Sequence, residues 1–107
     1  MKVSIITISY NSAHSIADAI SSVVSQTYPD IEYIIVDGKS KDNTPEIVKS
    51  FGSKVSKFVS EPDKGIYDAL NKGIRMATGD VVGFMHSDDL FADNHVIEKV
   101  VKLFEDK

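Results

Sequence analysis

Short runs of β-branched residues alternate with helical stripes along this chain, and the alternation is what most restricts its fold. The runs cover residues 3–9, 31–36, 54–60 and 81–85, and the third of them is the weakest. Nearly continuous apolar runs are typical of strands that are covered on both faces. Between and after the runs, apolar residues recur at the spacing of helices that pack one face against a sheet. The order β-α-β-α-β-α-β-α predicts an α/β fold with a doubly wound, mainly parallel sheet.

Local signals predict where the helices begin and end. Residues 11–12 are expected to cap the first helix, which should stop before Pro29. Thr44 is the expected cap of the second helix, with Pro45 in its first turn. Asp93 is the expected cap of the last helix.

The composition is that of one soluble globular domain, which we expect to cover residues 1–107. Of these 107 residues, 42% are hydrophobic and 26% are charged, with a net charge of −4 and no large basic cluster. This balance argues against nucleic acid and anionic membranes as partners. The absence of cysteine excludes disulfides and thiolate zinc sites. The N-terminal apolar run is too short to span a bilayer and lacks a cleavage site, so a cytoplasmic location is expected by default.

A polar loop follows each predicted strand at the point where the strand ends. The loops read SYNS at 9–12, DGKSKDNT at 37–44, EPDKG at 61–65 and HSDD at 86–89. In doubly wound sheets, ligands bind outside the carboxyl ends of the strands. A lone Asp-Asp pair would usually be a solvated turn. Four polar loops at one edge of the sheet instead predict a ligand site.

The chemistry of this edge predicts a divalent cation and a phosphorylated ligand. The glycine-rich dinucleotide motif and the P-loop motif are both absent from the sequence. The neighbouring carboxylates of Asp88 and Asp89 repel each other and need a cation if they lose water. Mg²⁺ and Mn²⁺ take oxygen ligands, typically one or two from protein carboxylates and others from phosphates. A metal would therefore neutralise both acids together with a diphosphate.

Five segments in series carry a resemblance: VSIITISYN, IIVDGKSKDNT, SEPDKGIYDALNKGI, ATGD and HSDD. In this order and spacing they resemble the amino-terminal half of family 2 glycosyltransferases of the GT-A fold. Each segment is weak alone, but the series is specific and runs from Val3 to about Phe91. The resemblance implies a Rossmann-like nucleotide-binding fold and a nucleoside diphosphate sugar, usually a UDP-sugar, as the donor.

The resemblance also implies which residues hold the nucleoside. Thr7, Ser9 and Tyr10 fall where the family holds the base and ribose, with the Tyr ring stacking on the base. Asp37 matches the acid that accepts a hydrogen bond from the base, usually uracil. Lys64 is the candidate to replace an Arg that the family often has and that this chain lacks.

Asp88 and Asp89 match the family's D-x-D-type metal element. The resemblance implies that Asp88 faces the ribose and shares the metal, while Asp89 binds Mn²⁺ or Mg²⁺ on the diphosphate. The metal would stabilise the charge that develops as the nucleoside diphosphate leaves. His86 departs from the acid or amide that many relatives have at its position, so no role is assigned to it.

The implied function is metal-dependent transfer of a sugar, with inversion, from the donor to an acceptor hydroxyl. The acceptor would be a glycan or a lipid-linked glycan in polysaccharide or cell-surface glycan synthesis. No catalytic residue is assigned, because the family's acceptor base lies beyond residue 107. We therefore expect a piece of a longer protein that binds donor without turnover. Membrane association is left open for the longer protein, and an uncovered sheet edge leaves a homo-oligomer open.

Other classes of function stay open from the residues alone. A nucleotide-binding or assembly module without catalysis stays open, because the residues that would carry out sugar transfer are incomplete in this chain. A receiver-like signalling module also combines a doubly wound sheet with a metal, but it needs an acidic pair after the first strand, where this chain has Ser9-Tyr10-Asn11. A nucleotidyltransferase would need a Gly-rich, basic phosphate loop near the N-terminus, and this sequence has none.

Overall fold

Strands and α-helices alternate along the computed structural model, which describes residues 1–105. In chain order they are β1 (Val3–Ser9), α1 (Ile16–Val24), β2 (Ile31–Asp37), α2 (Thr44–Ser50), β3 (Lys57–Ser60), α3 (Ile66–Met76), β4 (Val81–Phe84) and α4 (Val96–Glu105). The predicted alternation is confirmed. Within residues 1–105, no helix has the length and apolar character needed to cross a bilayer.

The strands form one sheet in the order β3-β2-β1-β4, and every neighbouring pair is parallel. β1 and β2 stay in register from Val3 opposite Ile31 to Ser9 opposite Asp37. β3 reaches the same end of the sheet, where Ser60 lies opposite Asp37. The predicted α/β fold with a parallel, doubly wound sheet is therefore confirmed, and the carboxyl ends of β1, β2 and β3 lie side by side.

The two faces of the sheet pack against different sets of helices. On one face, a large core joins α1, α2 and α4 to the sheet through side chains such as Ile20, Val48 and Val101. On the other face, a smaller core packs α3 against β1 and β2. Gly73 lets α3 approach closely, because a Cβ at this position would lie 2.6 Å from Ile6 Cγ2.

Two predicted strand boundaries are wrong by a few residues. The third strand begins at Lys57 rather than at residue 54, because Gly52–Lys54 form a 3₁₀ turn after α2. Gly52 has φ +59, the left-handed conformation that commonly ends a helix. β4 ends at Phe84, one residue earlier than predicted.

Two predicted helix caps are also wrong, because neither residue directly precedes its helix: Thr44 is the first residue of α2, and Asp93 lies three residues before the start of α4. Asn43 is at the N-cap of α2, and the carboxylate of Asp42 accepts hydrogen bonds from the Thr44 N–H (3.0 Å) and hydroxyl (2.5 Å). Thr44 therefore does not cap α2; it donates both hydrogen bonds to Asp42, two residues earlier. Asp93 accepts a hydrogen bond from the His95 N–H (2.7 Å) in the turn just before α4.

The amino-terminal ends of the strands are joined by the buried carboxylate of Glu32 on β2. It accepts hydrogen bonds from the Ser4 hydroxyl (2.8 Å) and from the N–H (2.9 Å) and hydroxyl (3.0 Å) of Thr78. It also lies 3.1 Å from Lys57 Nζ and 3.5 Å from Lys2 Nζ. Burial alone would raise the pKa of Glu32, but these donors outweigh it and lower the pKa from 4.5 to about 2.

Gly79 lies next to Thr78 in the ATGD segment, and it allows this segment to approach the backbone at the start of β1 closely. A Cβ at this position would lie 2.8 Å from the Ser4 backbone nitrogen and 2.9 Å from the Lys2 carbonyl oxygen. Together with the bonds to Glu32, this contact fixes the loop that leads into β4.

Candidate functional site

The loops that follow the four strands lie at one edge of the sheet, which we call the carboxyl edge. These loops contain residues 10–15, 38–43, 61–65 and 85–95. Because all four strands are parallel, their carboxyl ends point the same way, and ligands of such sheets bind there.

Asp37 is the buried centre of the carboxyl edge. Its side chain is 0% exposed and accepts four hydrogen bonds from the protein. Oδ1 accepts from the hydroxyls of Ser9 (2.8 Å) and Ser40 (2.6 Å), and Oδ2 accepts from the Ser60 hydroxyl (2.8 Å) and the Ser40 N–H (2.8 Å). A carboxylate that only accepts hydrogen bonds is suited to this ring of donors. The acid therefore ties together the ends of β1, β2 and β3.

Thr7 and Ser9 are buried as well, at 0% and 1% exposure. The Thr7 hydroxyl lies 2.8 Å from the Tyr33 hydroxyl, and burial raises the pKa of Tyr33 to about 12 although this bond opposes the rise. Because the side chains of Thr7, Ser9 and Asp37 are buried, a ligand cannot reach them in this conformation. Their predicted roles in nucleotide binding stay predictions.

Tyr10 and Asp63 lie close to Gly38, on the side where a side chain would project. Tyr10 is 55% exposed. A Cβ at Gly38 would lie 3.4 Å from Tyr10 Cδ1 and 2.9 Å from Asp63 Oδ2, so all three residues line one small space. Asp63 was not among the predicted site residues, because the sequence Pro-Asp-Lys-Gly is typical of a simple turn. Its place in a strand-end loop was the available signal.

The loop after β1 is pinned to the loop after β2. Asn11 adopts a left-handed conformation with φ +49; its N–H donates to Ser40 Oγ (2.8 Å) and its Oδ1 accepts from the Lys41 N–H (2.8 Å). The Ser12 N–H donates to Thr44 Oγ1 (2.9 Å). These bonds hold Tyr10 and Asp37 in one rigid part of the edge.

The prediction that residues 11–12 cap α1 with their side chains is wrong. Ser15 occupies the N-cap position, and the carbonyl of Ser12 accepts hydrogen bonds from the N–H groups of Ser15 (3.0 Å) and Ile16 (2.8 Å). The side chain of Ser12 instead reaches the fourth loop, where its Oγ lies 2.8 Å from Ser87 Oγ.

Asp88 and Asp89 are exposed at the tip of the loop after β4. The turn is closed by a hydrogen bond from the Asp89 N–H to the His86 carbonyl (3.1 Å). Within residues 1–105, neither carboxylate makes a hydrogen bond or an ion pair, in contrast to Asp37. Both acids are therefore available to a ligand.

These two acids fit a divalent cation that takes most of its ligands from elsewhere. In the described part of the chain, no group of three or more His, Cys, Asp or Glu side chains is arranged to hold a metal by itself. Mg²⁺ and related ions often use one or two carboxylates and complete their shell with phosphate oxygens and water. The two carboxylates of Asp88 and Asp89 match this number of protein ligands.

Lys64 is exposed in the loop after β3, and its backbone is fixed at the start of α3. Its N–H donates to Asp68 Oδ2 (2.9 Å), which lowers the pKa of Asp68, with a further contribution from Lys72 at 3.7 Å. Gly65 adopts φ +115 at the N-cap of α3, where the missing side chain permits this conformation. The Lys64 ammonium lies at the carboxyl edge and makes no hydrogen bond or ion pair within residues 1–105.

The parallel sheet, with its acids at the carboxyl edge, is that of a Rossmann-like nucleotide-binding protein of the GT-A type. The chain belongs to glycosyl transferase family 2, whose family model matches residues 4–107. The resemblance carried by the five sequence segments is confirmed. Family membership also favours a glycosyltransferase over a receiver-like module.

Two curated relatives illustrate the similarity. An uncharacterized glycosyltransferase of Mycobacterium tuberculosis is 38% identical over 106 residues, which are 98% of this chain and 40% of the relative. The UDP-Glc:alpha-D-GlcNAc-diphosphoundecaprenol beta-1,3-glucosyltransferase WfgD of Escherichia coli is 40% identical over 93 residues, 86% of this chain and 37% of the relative. The chain therefore spans less than half the length of these relatives.

Two solved structures share the fold. TarS of S. aureus in complex with UDP-GlcNAc superposes with a TM-score of 0.89 at 26% identity, over 99% of this chain and 32% of that chain. A mannosyltransferase of Pyrobaculum calidifontis in complex with GDP-Man and Mn²⁺ superposes with a TM-score of 0.87 at 30% identity, over 94% of this chain and 31% of that chain.

Proposed function

We propose that this chain is the donor-binding part of a glycosyltransferase that moves a sugar from a UDP-sugar to an acceptor hydroxyl. The observation that carries the proposal is the exposed pair Asp88 and Asp89, whose carboxylates have no partner within residues 1–105. Free carboxylates at the carboxyl end of a parallel sheet are suited to a ligand that brings a cation. In a family 2 chain, that ligand is a metal-bound nucleoside diphosphate sugar.

The metal would be Mn²⁺ or Mg²⁺, held by Asp89, with Asp88 as a second ligand or as a partner of the ribose. When bound, it would neutralise the diphosphate and stabilise the leaving nucleoside diphosphate. The Mn²⁺ in the complex of the Pyrobaculum mannosyltransferase supports a divalent metal here. Lys64, exposed at the same edge, would meet a phosphate oxygen.

The base would lie against Tyr10, whose half-exposed ring can stack on it. Asp63, on the other side of Gly38, would add a hydrogen-bond acceptor beside the base. Thr7, Ser9 and Asp37 form the buried frame under this space. Direct contact between the base and Asp37 requires a serine hydroxyl to rotate away, and this contact stays a prediction from the resemblance.

We propose that residues 1–107 form the donor-binding domain, that the acceptor base lies beyond residue 107, and that the isolated chain binds donor without turnover. The E. coli relative is named for UDP-Glc as donor and a diphosphoundecaprenol-linked GlcNAc as acceptor, which supports a lipid-linked glycan acceptor. Polysaccharide or cell-surface glycan synthesis and an inverting outcome follow from the family resemblance.

Calorimetric titration of UDP tests this proposal, with Mn²⁺ and with EDTA. We expect wild type to bind only with Mn²⁺, and Asp89→Asn to lose at least about tenfold in affinity, or about 1.4 kcal/mol, because a metal ligand loses its charge. Asp18→Asn is the control: it removes the same charge from an exposed acid on α1 and should bind as wild type does. Equal binding by Asp89→Asn would contradict the metal assignment, and no binding by wild type would contradict donor binding by this chain.

A further inference from the structure

The segment that carries Asp88 and Asp89 has no helix or strand between Phe84 and Val96. Backbone N–H and C=O groups in such a segment need partners other than a regular ladder. Helix α1 lies beside the segment, and polar side chains on and around α1 bind its backbone at several points. The exposed acids therefore stand on a backbone that another element holds in place.

Two serines of this helix hold the segment on either side of the acid pair. Ser15 Oγ donates a hydrogen bond to the carbonyl of Ser87 (2.9 Å). Ser22 Oγ accepts a hydrogen bond from the N–H of Phe91 (2.7 Å). Both bonds are to main-chain atoms, so they fix the path of the backbone whatever the side chains between them do.

Gln26 holds the end of the segment with both ends of its amide. Its Nε2 donates to the carbonyl of Asp93 (2.7 Å), and its Oε1 accepts from the N–H of Ile97 (3.0 Å). The first N–H groups of a helix have no partner inside the helix, so Gln26 also caps α4. The Thr27 N–H adds a bond to the carbonyl of Asn94 (2.8 Å).

The three side chains are spread over the whole length of α1: Ser15 is its N-cap, Ser22 lies within it, and Gln26 follows its C-cap residue Ser25. What they share is that each binds the backbone of the segment after β4. Ala19 lies between Ser15 and Ser22 along the chain and is fully buried. We call this set of three residues the polar stripe.

We propose that the polar stripe positions Asp88 and Asp89 for the metal and its nucleotide; the proposal rests on the function proposed above. Neither carboxylate has a partner within residues 1–105. The position of both acids therefore depends on the backbone between the two anchors, by which we mean the hydrogen bonds that Ser15 and Ser22 make to this segment. Divalent ions such as Mg²⁺ demand near-ideal ligand geometry. Releasing one anchor spreads the acids over more positions and weakens binding, although no ligand contact has been removed.

Ser22→Ala and Ser21→Ala form a matched pair, because Ser21 is the exposed neighbour on the same helix. Amide hydrogen exchange of the free protein is measured by NMR, and UDP affinity with Mn²⁺ by calorimetry. For Ser22→Ala we expect the amides of Asp89 and Phe91, which are hydrogen-bonded in this loop, to exchange about tenfold faster, because Phe91 loses its acceptor and the turn at Asp89 loosens. The amides of β1 and β2 should stay unchanged, and the Kd should rise about three- to tenfold. Ser21→Ala should match wild type, and Ser22→Thr, which keeps the hydroxyl, should restore both values.

Unchanged exchange at the amides of Asp89 and Phe91 in Ser22→Ala would overturn the inference. Faster exchange with an unchanged Kd would overturn it too, because the anchor would then not serve the ligand. If wild type fails to bind UDP, the donor-binding proposal fails, while the exchange rates still decide whether the stripe holds the segment. Faster exchange throughout β1 and β2 would mean that Ser22→Ala loosens the whole fold. Ser15→Ala, which releases the other anchor, then replaces it, and it is expected to give faster exchange in the loop, unchanged exchange in β1 and β2, and a raised Kd.

Discussion

Asp37 and Asp88 both stand where a strand gives way to a loop, yet their surroundings are opposite. Asp37 is buried among serine hydroxyls, whereas Asp88 is exposed. Their positions could be predicted because apolar runs stop just before them. Their burial could not, because the donors around Asp37 come from β1, from β3 and from the loop after β2. Asp63 was missed for the same reason, since only the fold places it beside Gly38.

At the residue scale, Asp37→Asn should destabilise the protein by about 1–3 kcal/mol. An amide oxygen is a weaker acceptor than a carboxylate oxygen, and the substitution replaces the other acceptor oxygen with an NH₂ group that faces the existing donors. Urea unfolding measures the change. Asp63→Asn is the control at the same edge, since Asp63 is only partly buried and makes one hydrogen bond, from the Gly65 N–H (3.2 Å). Equal stability of the two variants would contradict a framing role for Asp37.

At the scale of elements, the strands and helices were predictable and their ends were not. The apolar pattern identifies each buried strand and each amphipathic helix, because burial repeats with the period of the element. The ends depend on single hydrogen bonds, such as those from Thr44 to Asp42, and on the 3₁₀ turn before β3. The polar stripe was also invisible, because serine and glutamine on a helix usually indicate a solvated face.

Glu32 joins β1, β2 and the loop before β4. Because its pKa is lowered in the folded protein, we expect the stability of the protein to depend on pH. Its pKa is lowered to about 2 in the folded protein from 4.5, so its contribution is present above about pH 4.5 and is lost as the pH falls toward 2. We expect a loss of about 2 kcal/mol from this group over that range, less than the full shift implies because its lysine partners are partly exposed to solvent.

Urea unfolding between about pH 5 and pH 2 measures this contribution. Glu32→Gln should flatten the pH dependence, whereas Glu46→Gln, an exposed acid in the first turn of α2, should retain it. The other acids with lowered pKa values, such as Asp42 and Asp93, add a slope that all three proteins share. Parallel slopes for wild type and Glu32→Gln would contradict the assignment.

At the scale of the whole molecule, one side of the sheet is thinly covered. α3 packs over β1 and β2, while β4 is an edge strand within residues 1–105. Phe84 on this strand is 54% exposed, and Val82 and Ile74 are exposed as well. An exposed apolar edge strand favours association with another strand or chain. Self-association of the chain therefore stays a prediction.

Sedimentation over a range of concentrations tests self-association. We expect wild type to form a dimer or larger species as concentration rises, and Phe84→Ser to weaken that association by about tenfold, because a large apolar side chain leaves the contact. Tyr67→Ser is the control, since it removes an aromatic ring that is 79% exposed on α3, away from the edge strand. A strictly monomeric wild type at high concentration would contradict the prediction.

The burial of the Asp37 network has a consequence for engineering. The side chains that hold the strand ends together are inside the protein, whereas Tyr10 and Lys64 are exposed at the same edge and Asp63 is only partly buried. Surface substitutions away from buried networks usually change stability little. A library that randomises Tyr10, Asp63 and Lys64 should therefore return folded proteins at high frequency. If the proposed function holds, variants at Tyr10 and Asp63 are the ones from which to select for a different nucleobase in the donor.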